Sequence, residues 1–91
     1  MALSSAQYTL GSATPTQIVP PSVMPQWVTV HNMTKSSNEY VFLGGPTVGT
    51  ANGIHVDPGD TVQRKMLPLE SLWAVSDPNG LVVAVLISRQ D

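Results

Sequence analysis

Residues 39–62 have the sequence EYVFLGGPTVGTANGIHVDPGDTV, which places five of the chain's seven glycines between short apolar runs. These runs are too short for helices, and they are bounded by Gly, Pro, Asn or Asp, which are the residues that turns require. The segment DPG at 57–59 favours a type II turn, because Pro suits its second position and Gly its third. The pair NG at 52–53 favours a tight hairpin, since both residue types tolerate a positive φ. The stretch therefore predicts short antiparallel strands.

The glycines of this stretch do not match a phosphate-binding loop. A Walker loop requires a Lys directly after its last glycine and a helix behind it, and no glycine of this chain is followed by Lys. A dinucleotide-binding site requires a parallel βαβ unit, for which the sequence has no helical segment. We therefore expect these residues to turn the chain between strands, at Gly44, Gly45, Asn52, Gly53, Asp57, Pro58, Gly59, Pro78 and Gly80.

Alternation of apolar and polar residues continues on both sides of this stretch. It predicts strands at 27–32, 39–43, 60–66, 71–76 and 81–88, with weaker signals at 5–10, 16–19, 47–50 and 54–56. The segment LVVAVLIS at 81–88 is apolar on both faces, which predicts a central strand covered by a second sheet or by a partner subunit. The chain is therefore predicted to be all-β, a small antiparallel β-sandwich or barrel of seven to nine short strands.

The first 25 residues differ from the rest, since they carry four of the eight prolines. Proline fixes φ and biases its predecessor toward extended geometry, so this segment is predicted to form edge strands or an extended arm that lies on a neighbour. We expect an N-terminal arm at 1–25 and a β-sandwich or barrel domain at 26–91. Apolar residues in the arm would bind the neighbouring protein, namely Tyr8, Leu10, Ile18 and Val19.

The composition indicates a chain that is partly covered by protein. Only 11% of its 91 residues are charged while 42% are apolar, and it has no cysteine to form a disulfide. A domain this small has a marginal core and usually requires a disulfide, a metal or a partner subunit. We therefore expect a homo-oligomer, with core or subunit contacts at Trp27, Phe42, Trp73, Val83 and Val85.

Two classes of partner do not fit the sequence. The chain has four Lys and Arg residues and a formal net charge of −2, whereas a nucleic-acid-binding domain normally has a basic face. No segment reaches the ~20 continuous apolar residues that a membrane-spanning helix needs. We therefore expect neither nucleic acid nor a membrane as a partner.

The ionisable residues do not form a convincing catalytic or metal site. His55 and Asp57 would project from one face of a strand, and together with His31 and Asp60 they could approximate a metal site. An Asx turn already explains Asp57, however, and no G-x-S-x-G nucleophile elbow is present. We expect no catalytic residue, no metal site and no cofactor; a small metal-dependent enzyme using both histidines remains an alternative hypothesis.

The order of several short motifs resembles a family of small virion proteins of tailed bacteriophages. The chain has a strand that ends in Asn32, then VFLGG at 41–45, NGI at 52–54, PGD at 58–60 and LWAVSD at 72–77. The resemblance covers roughly residues 26–87. The N-terminal segment also resembles the arm that precedes this core in capsid decoration proteins, or cement proteins, of actinobacterial phages.

This resemblance implies a non-enzymatic structural protein on the capsid exterior of a virion. Such a protein would bind the assembled lattice of the major capsid protein and cement it, with a trimer as the favoured oligomer. An alternative is a phage tail, fibre or head-fibre component that recognises a cell-surface glycan. That alternative predicts a shallow polar groove with Trp27, Tyr40 or Trp73 exposed.

Overall fold

The computed structural model describes residues 2–89, which fold into a sandwich of two four-stranded sheets. The eight strands are β1 (Ala2–Thr9), β2 (Thr16–Val19), β3 (Gln26–Asn32), β4 (Tyr40–Gly44), β5 (Ile54–Val56), β6 (Thr61–Met66), β7 (Leu72–Asp77) and β8 (Val82–Arg89). All of the strand pairings are antiparallel, which confirms the prediction of a small all-β sandwich. Within the described residues, no helix has the length and apolar character to cross a membrane.

The chain passes from one sheet to the other at nearly every connection. One sheet, here called sheet A, has the strand order β1-β8-β3-β6, and sheet B has the order β2-β7-β4-β5. Only the connection between β4 and β5 joins neighbouring strands of the same sheet. Each sheet therefore has two edge strands, β1 and β6 in sheet A and β2 and β5 in sheet B.

The core lies between the sheets and is built by the alternation of the strands. In β3, Val28 and Val30 are buried, whereas Trp27 between Gln26 and Val28 points outward. In β8, Val83 and Val85 are buried in the same cluster as residues from both sheets. Each such side chain contributes about 1.5–3 kcal/mol on full burial, so this cluster is the main source of stability.

The strand predictions agree with the structure in all but one segment. The predicted strand at 47–50 is wrong, because Val48 N donates a hydrogen bond to Gly45 O at 3.0 Å and closes a turn. The predicted central position of 81–88 is confirmed, since β8 lies between β1 and β3. Its inner face is covered by sheet B, while Leu86 on the outer face is exposed.

Residues 2–25 do not form a separate arm, so the predicted boundary at residue 25 is wrong. β1 pairs with β8 along its whole length, and β2 pairs with β7, which makes each an edge strand of one sheet. The edge-strand alternative was therefore the correct one. The prolines of this segment lie in the connections that carry the chain between the sheets, where they turn it rather than stiffen an arm. Residues 1, 90 and 91 of the predicted divisions lie outside the described residues.

The predicted turns hold at 57–60 but not at 52–53. Asp60 N donates to Asp57 O at 3.0 Å and Gly59 has a φ of 77°, as a type II turn requires. Asn52 and Gly53 instead end a longer loop, in which Gly49 N donates to Asn52 Oδ1 at 2.7 Å. The tight hairpin was the wrong prediction, because the loop folds back on itself around Val48 and neither residue has a positive φ.

Asn32 shows why a strand of this fold ends in asparagine. Its side chain is fully buried, and its Nδ2 donates to Glu39 O and to Val56 O, both at 3.0 Å. Buried backbone carbonyls need such partners. The amide therefore joins the end of β3 to the start of β4 and to β5.

Candidate interaction surface

The exposed large apolar side chains gather at one end of the sandwich. This end, here called the apolar end, comprises the connections 20–25, 45–53 and 67–71 with the adjoining ends of the strands. The opposite end comprises the connections 10–15, 33–39, 57–60 and 78–81. Of the nine such side chains in residues 3–89, seven lie at the apolar end: Leu3, Val23, Met24, Trp27, Ile54, Leu67 and Leu69.

The turn at 67–70 holds two of these side chains outward. Glu70 N donates to Leu67 O at 3.1 Å, and Leu67 N donates to Glu70 Oε1 at 2.7 Å. Pro68 and Leu69 occupy the centre of this turn, where Leu69 has a φ of 68°. Glycine or asparagine is usual at such a position, because a left-handed backbone costs a leucine about 1–2 kcal/mol. Leu69 is nevertheless 70% exposed, so no burial of its side chain offsets this cost.

A second loop lies against this turn. Leu69 N donates to Ser22 O at 2.7 Å, which joins the connection 67–71 to the connection 20–25. Val23 is 76% exposed there, and Met24 beside it is also exposed. Val23, Met24, Leu67 and Leu69 are here called the apolar loop pair. These four apolar side chains project from two loops whose backbones are joined by a hydrogen bond.

A cleft of about 520 Å³ opens beside the apolar loop pair, between β6 of sheet A and strands β4 and β5 of sheet B. Its apolar lining includes the buried residues Leu43, Met66 and Leu72. Arg64 and Glu70 line it as well. The cleft has the size of a small-ligand site, which is commonly 300–1,000 Å³, and it extends the apolar surface of the two loops.

Charge is distributed unevenly between the two ends. Within residues 2–89, the apolar end is net positive, with Arg64, Lys65, Arg89 and Glu70. The opposite end is net negative, with Lys35, Glu39, Asp57, Asp60 and Asp77. The opposite end is therefore acidic and well solvated, whereas the apolar end combines exposed apolar side chains with positively charged ones.

The outer face of sheet A has a shallow hollow lined by both apolar side chains, such as Leu86, and polar ones. Its volume is about 360 Å³, and its lining includes Ser5, Gln7, Thr29 and His31 around the small side chain of Ala84. Trp27 is 48% exposed on the same face of β3 as Thr29 and His31. Of the two roles predicted for Trp27, core or subunit contact, the core position is wrong, because the alternation of β3 directs the side chain outward, and the subunit contact stays a prediction.

The outer face of sheet B carries an aromatic cluster. His55 lies opposite Phe42 in the sheet and contacts Tyr40 edge to face, with ring centroids 5.8 Å apart. His55 Nδ1 lies 2.9 Å from Asp57 Oδ1, as the prediction of a common face for this pair required. His31 lies on the outer face of sheet A, so the alternative of a metal site that uses both histidines is wrong: the sandwich separates them.

The other predicted contact residues divide between core and surface. Leu10, Ile18 and Val19 are buried in the core, so the prediction that they bind a neighbour is wrong, whereas Tyr8 is only partly buried against the core and its contact with a neighbour stays a prediction. They are buried because β1 and β2 belong to the sheets. Val83 and Val85 lie in the core, and Phe42 and Trp73 are half-buried on the outer face of sheet B.

The apolar loop pair was not predicted from the sequence. The sequence PLESLW at 68–73 favours a strand or a single 3₁₀ turn, because Pro68 suits a first helical position. The signal of the loop pair was the placement of leucines on both sides of Pro68, in a segment where polar turn residues are usual. Whether such leucines lie in the core or on the surface depends on where the two sheets end, which the sequence of this segment does not indicate.

No protein-family model and no curated protein matches the chain. Solved structures that resemble it include a protein of Bacillus endospore appendages, described as a family of disulfide-linked pili, with a TM-score of 0.60 at 11% identity, covering 99% of this chain and 87% of that one. The periplasmic g-type lysozyme inhibitor PliG of Aeromonas hydrophila has a TM-score of 0.49 at 17% identity, covering 98% of this chain and 85% of that one. The cupin domain of Drosophila melanogaster CENP-C has a TM-score of 0.41 at 14% identity, covering 97% and 59%. At such identities the likeness to the appendage protein concerns the fold alone.

Proposed function

We propose that this chain is a non-enzymatic structural protein of a bacteriophage virion, which binds the outside of the assembled capsid and cements the lattice of the major capsid protein. The observation that carries the proposal is the gathering of exposed apolar side chains at one end of the sandwich. Clusters of exposed apolar side chains mark sites of protein association. The resemblance of the motif order to phage decoration proteins supports the choice of partner.

The distribution of charge supports one orientation on the capsid. The apolar end faces the lattice, because its loops lose exposed apolar area there and its cations can pair with acidic groups of the shell. The acidic opposite end faces solvent. The binding site is thus the apolar end and not the residues 1–25, which belong to the sandwich.

Cementing follows from differential binding. A protein that binds the assembled lattice but not its separate subunits stabilises the assembly by mass action. Many copies of a modest site would together resist expansion pressure or heat. The apolar loop pair suits this role, since its backbone is already held by hydrogen bonds and loses little entropy on binding.

The test uses capsids produced without this gene, incubated with purified protein and sedimented. Wild-type protein is expected to cosediment and to protect the capsids from thermal disruption. The variant Val23→Ser with Leu69→Gly should lose at least roughly tenfold in affinity, because the loss of well-packed apolar anchors costs 1.4 kcal/mol or more. Met33→Ser at the opposite end is the matched control and should bind normally. Equal binding of all three proteins would refute the proposal.

A second candidate function is recognition of a cell-surface glycan by a tail, fibre or head-fibre component. The half-exposed Trp27 beside the shallow hollow of sheet A favours it, because sugars stack on aromatic faces and bond to polar side chains such as Gln7 and Thr29 in its mixed lining. Binding on a glycan array that disappears with Trp27→Ala but persists with Trp73→Ala would support this role. An array without any response would remove it.

A further inference from the structure

We propose that β1 is a self-pairing edge, through which two copies of this chain join antiparallel across a two-fold axis to form one continuous sheet from their two A sheets. The inference is independent of the capsid-binding role. It rests on a comparison of the four sheet edges. An edge strand presents unpaired backbone N–H and C=O groups, and natural proteins protect such edges with charge, proline, bulges or short length.

Three of the four edges have this protection. β6 carries Arg64 and Lys65 and is followed by Pro68. β2 has four residues, with Pro20 directly after it and a shift of register between Gln17 and Val19. β5 has three residues and is followed directly by Asp57 and Pro58. Each of these edges is therefore charged, interrupted or too short to pair with another strand.

β1 has none of these devices. It is eight residues long, with the sequence ALSSAQYT, and contains no charged residue and no proline. Its pairing with β8 runs without a register shift from Ala2 to Thr9. Residues 3–7 and Thr9 are exposed. The strand is therefore uninterrupted, neutral and exposed over most of its length, as an edge that accepts another strand must be.

A second copy is the occupant that this edge fits. Two neutral strands meet without repulsion, and no other edge of the molecule is open to accept β1. Paired residues of antiparallel strands share a face, so the two-fold axis must pass through a residue position such as Ser5 or Ala6. Either register keeps Leu3 and Ser5 on the outer face of the joined sheet. A two-fold pair gives a dimer, whereas the phage resemblance implies a trimer.

The first test measures the mass of the chain in solution by sedimentation over a range of concentrations. The wild type should dimerise. Ser5→Lys places like charges close together at the axis and should weaken the dimer roughly fivefold or more. Gln63→Lys is the matched control, because Ser5 and Gln63 lie in one row across the outer face of sheet A, at its two edges. This control should leave the dimer unchanged, and circular dichroism should show all three proteins folded.

The second test uses the absence of native cysteine. Ser5→Cys and Ala6→Cys should give a disulfide-linked dimer under mild oxidation, and the better of the two identifies the register. Ala51→Cys, in an exposed loop at the apolar end, should not cross-link at the same concentration. A wild-type monomer or trimer at all concentrations, or a dimer that Ser5→Lys leaves intact, overturns the proposal. A β1 edge occupied only by a segment of another protein would appear as the monomer outcome.

Discussion

At Gly53 a side chain is excluded by close contacts with neighbouring residues, since the φ of this residue is not positive. A Cβ at this position would lie 2.8 Å from Phe42 Cβ and 2.8 Å from Val48 Cγ2. The same Val48 side chain lies 2.8 Å from the position of a Cβ on Gly44. The two glycines thus make room for Val48 on the outer face of sheet B, which is why this loop folds back.

The first prediction compares two glycines of this region. Gly53→Ala should lower the free energy of unfolding by about 1–3 kcal/mol, because the added methyl group overpacks a close contact. Gly45→Ala should be neutral or stabilising by up to about 1 kcal/mol, since nothing lies within 4 Å of its Cβ position and its φ is not positive. Urea denaturation measures both. Equal effects would show that the contact around Val48 is not formed.

The second prediction concerns the strained leucine. Leu69→Gly should leave the free energy of unfolding unchanged or raise it by up to about 1 kcal/mol, because glycine adopts a positive φ without a steric penalty. Leu67→Gly, in the same turn and also exposed, should lower it by about 0.5–1 kcal/mol, since only the cost of glycine flexibility remains. Thermal and urea unfolding provide the comparison. Destabilisation by Leu69→Gly as large as by Leu67→Gly would contradict the strain at Leu69.

At the scale of elements, β8 has two faces with different roles. Its inner residues Val83, Val85 and Ile87 belong to the core, while Leu86 points away from sheet B and is exposed. The strand looks uniformly apolar in the sequence because it is central in its sheet. Only its inner face is covered by the second sheet.

The third prediction separates these faces with adjacent residues. Val85→Ala should lower the free energy of unfolding by about 2 kcal/mol through lost burial and a cavity. Leu86→Ala should change it by less than about 0.5 kcal/mol, because an exposed position loses little buried area. Denaturant titration of both variants tests this. A larger effect at Leu86 would indicate that the outer face of sheet A is covered in solution.

At the scale of the whole molecule, the N-terminal segment completes both sheets. β1 supplies an edge of sheet A and β2 an edge of sheet B, and Leu10, Ile18 and Val19 are buried in the core between them. The sandwich has no smaller unit that would keep its core covered after this segment is removed.

The fourth prediction is that a chain lacking residues 1–20 does not fold. The deletion of this segment uncovers β7 and β8 along one side and removes three core side chains. The free energy lost in this way exceeds the free energy of unfolding of a small domain. The expected result is the absence of a cooperative thermal transition and of dispersed amide resonances. A truncated chain with a sharp transition would instead show that the segment is a dispensable arm.

The amino-acid sequence by itself was enough for the strand pattern and the fold class. Short apolar runs with period two, as in WVTVHN at 27–32, predict strands of a sandwich or barrel, since each needs a partner strand and a covered face. The type II turn at 57–60 could also be predicted, because it depends only on the backbone preferences of Pro58 and Gly59 themselves. These features depend on residues close together in the chain.

The role of the N-terminal segment and the location of the candidate surface depended on the tertiary structure. Nothing local distinguishes an edge strand of a sandwich from an arm, because the difference lies in its pairing with β8, more than seventy residues later in the chain. Likewise, Leu69 and Ile18 are both apolar residues near prolines, but one is exposed and the other buried. Burial is decided by which elements the fold brings together, and that is a property of contacts distant in sequence.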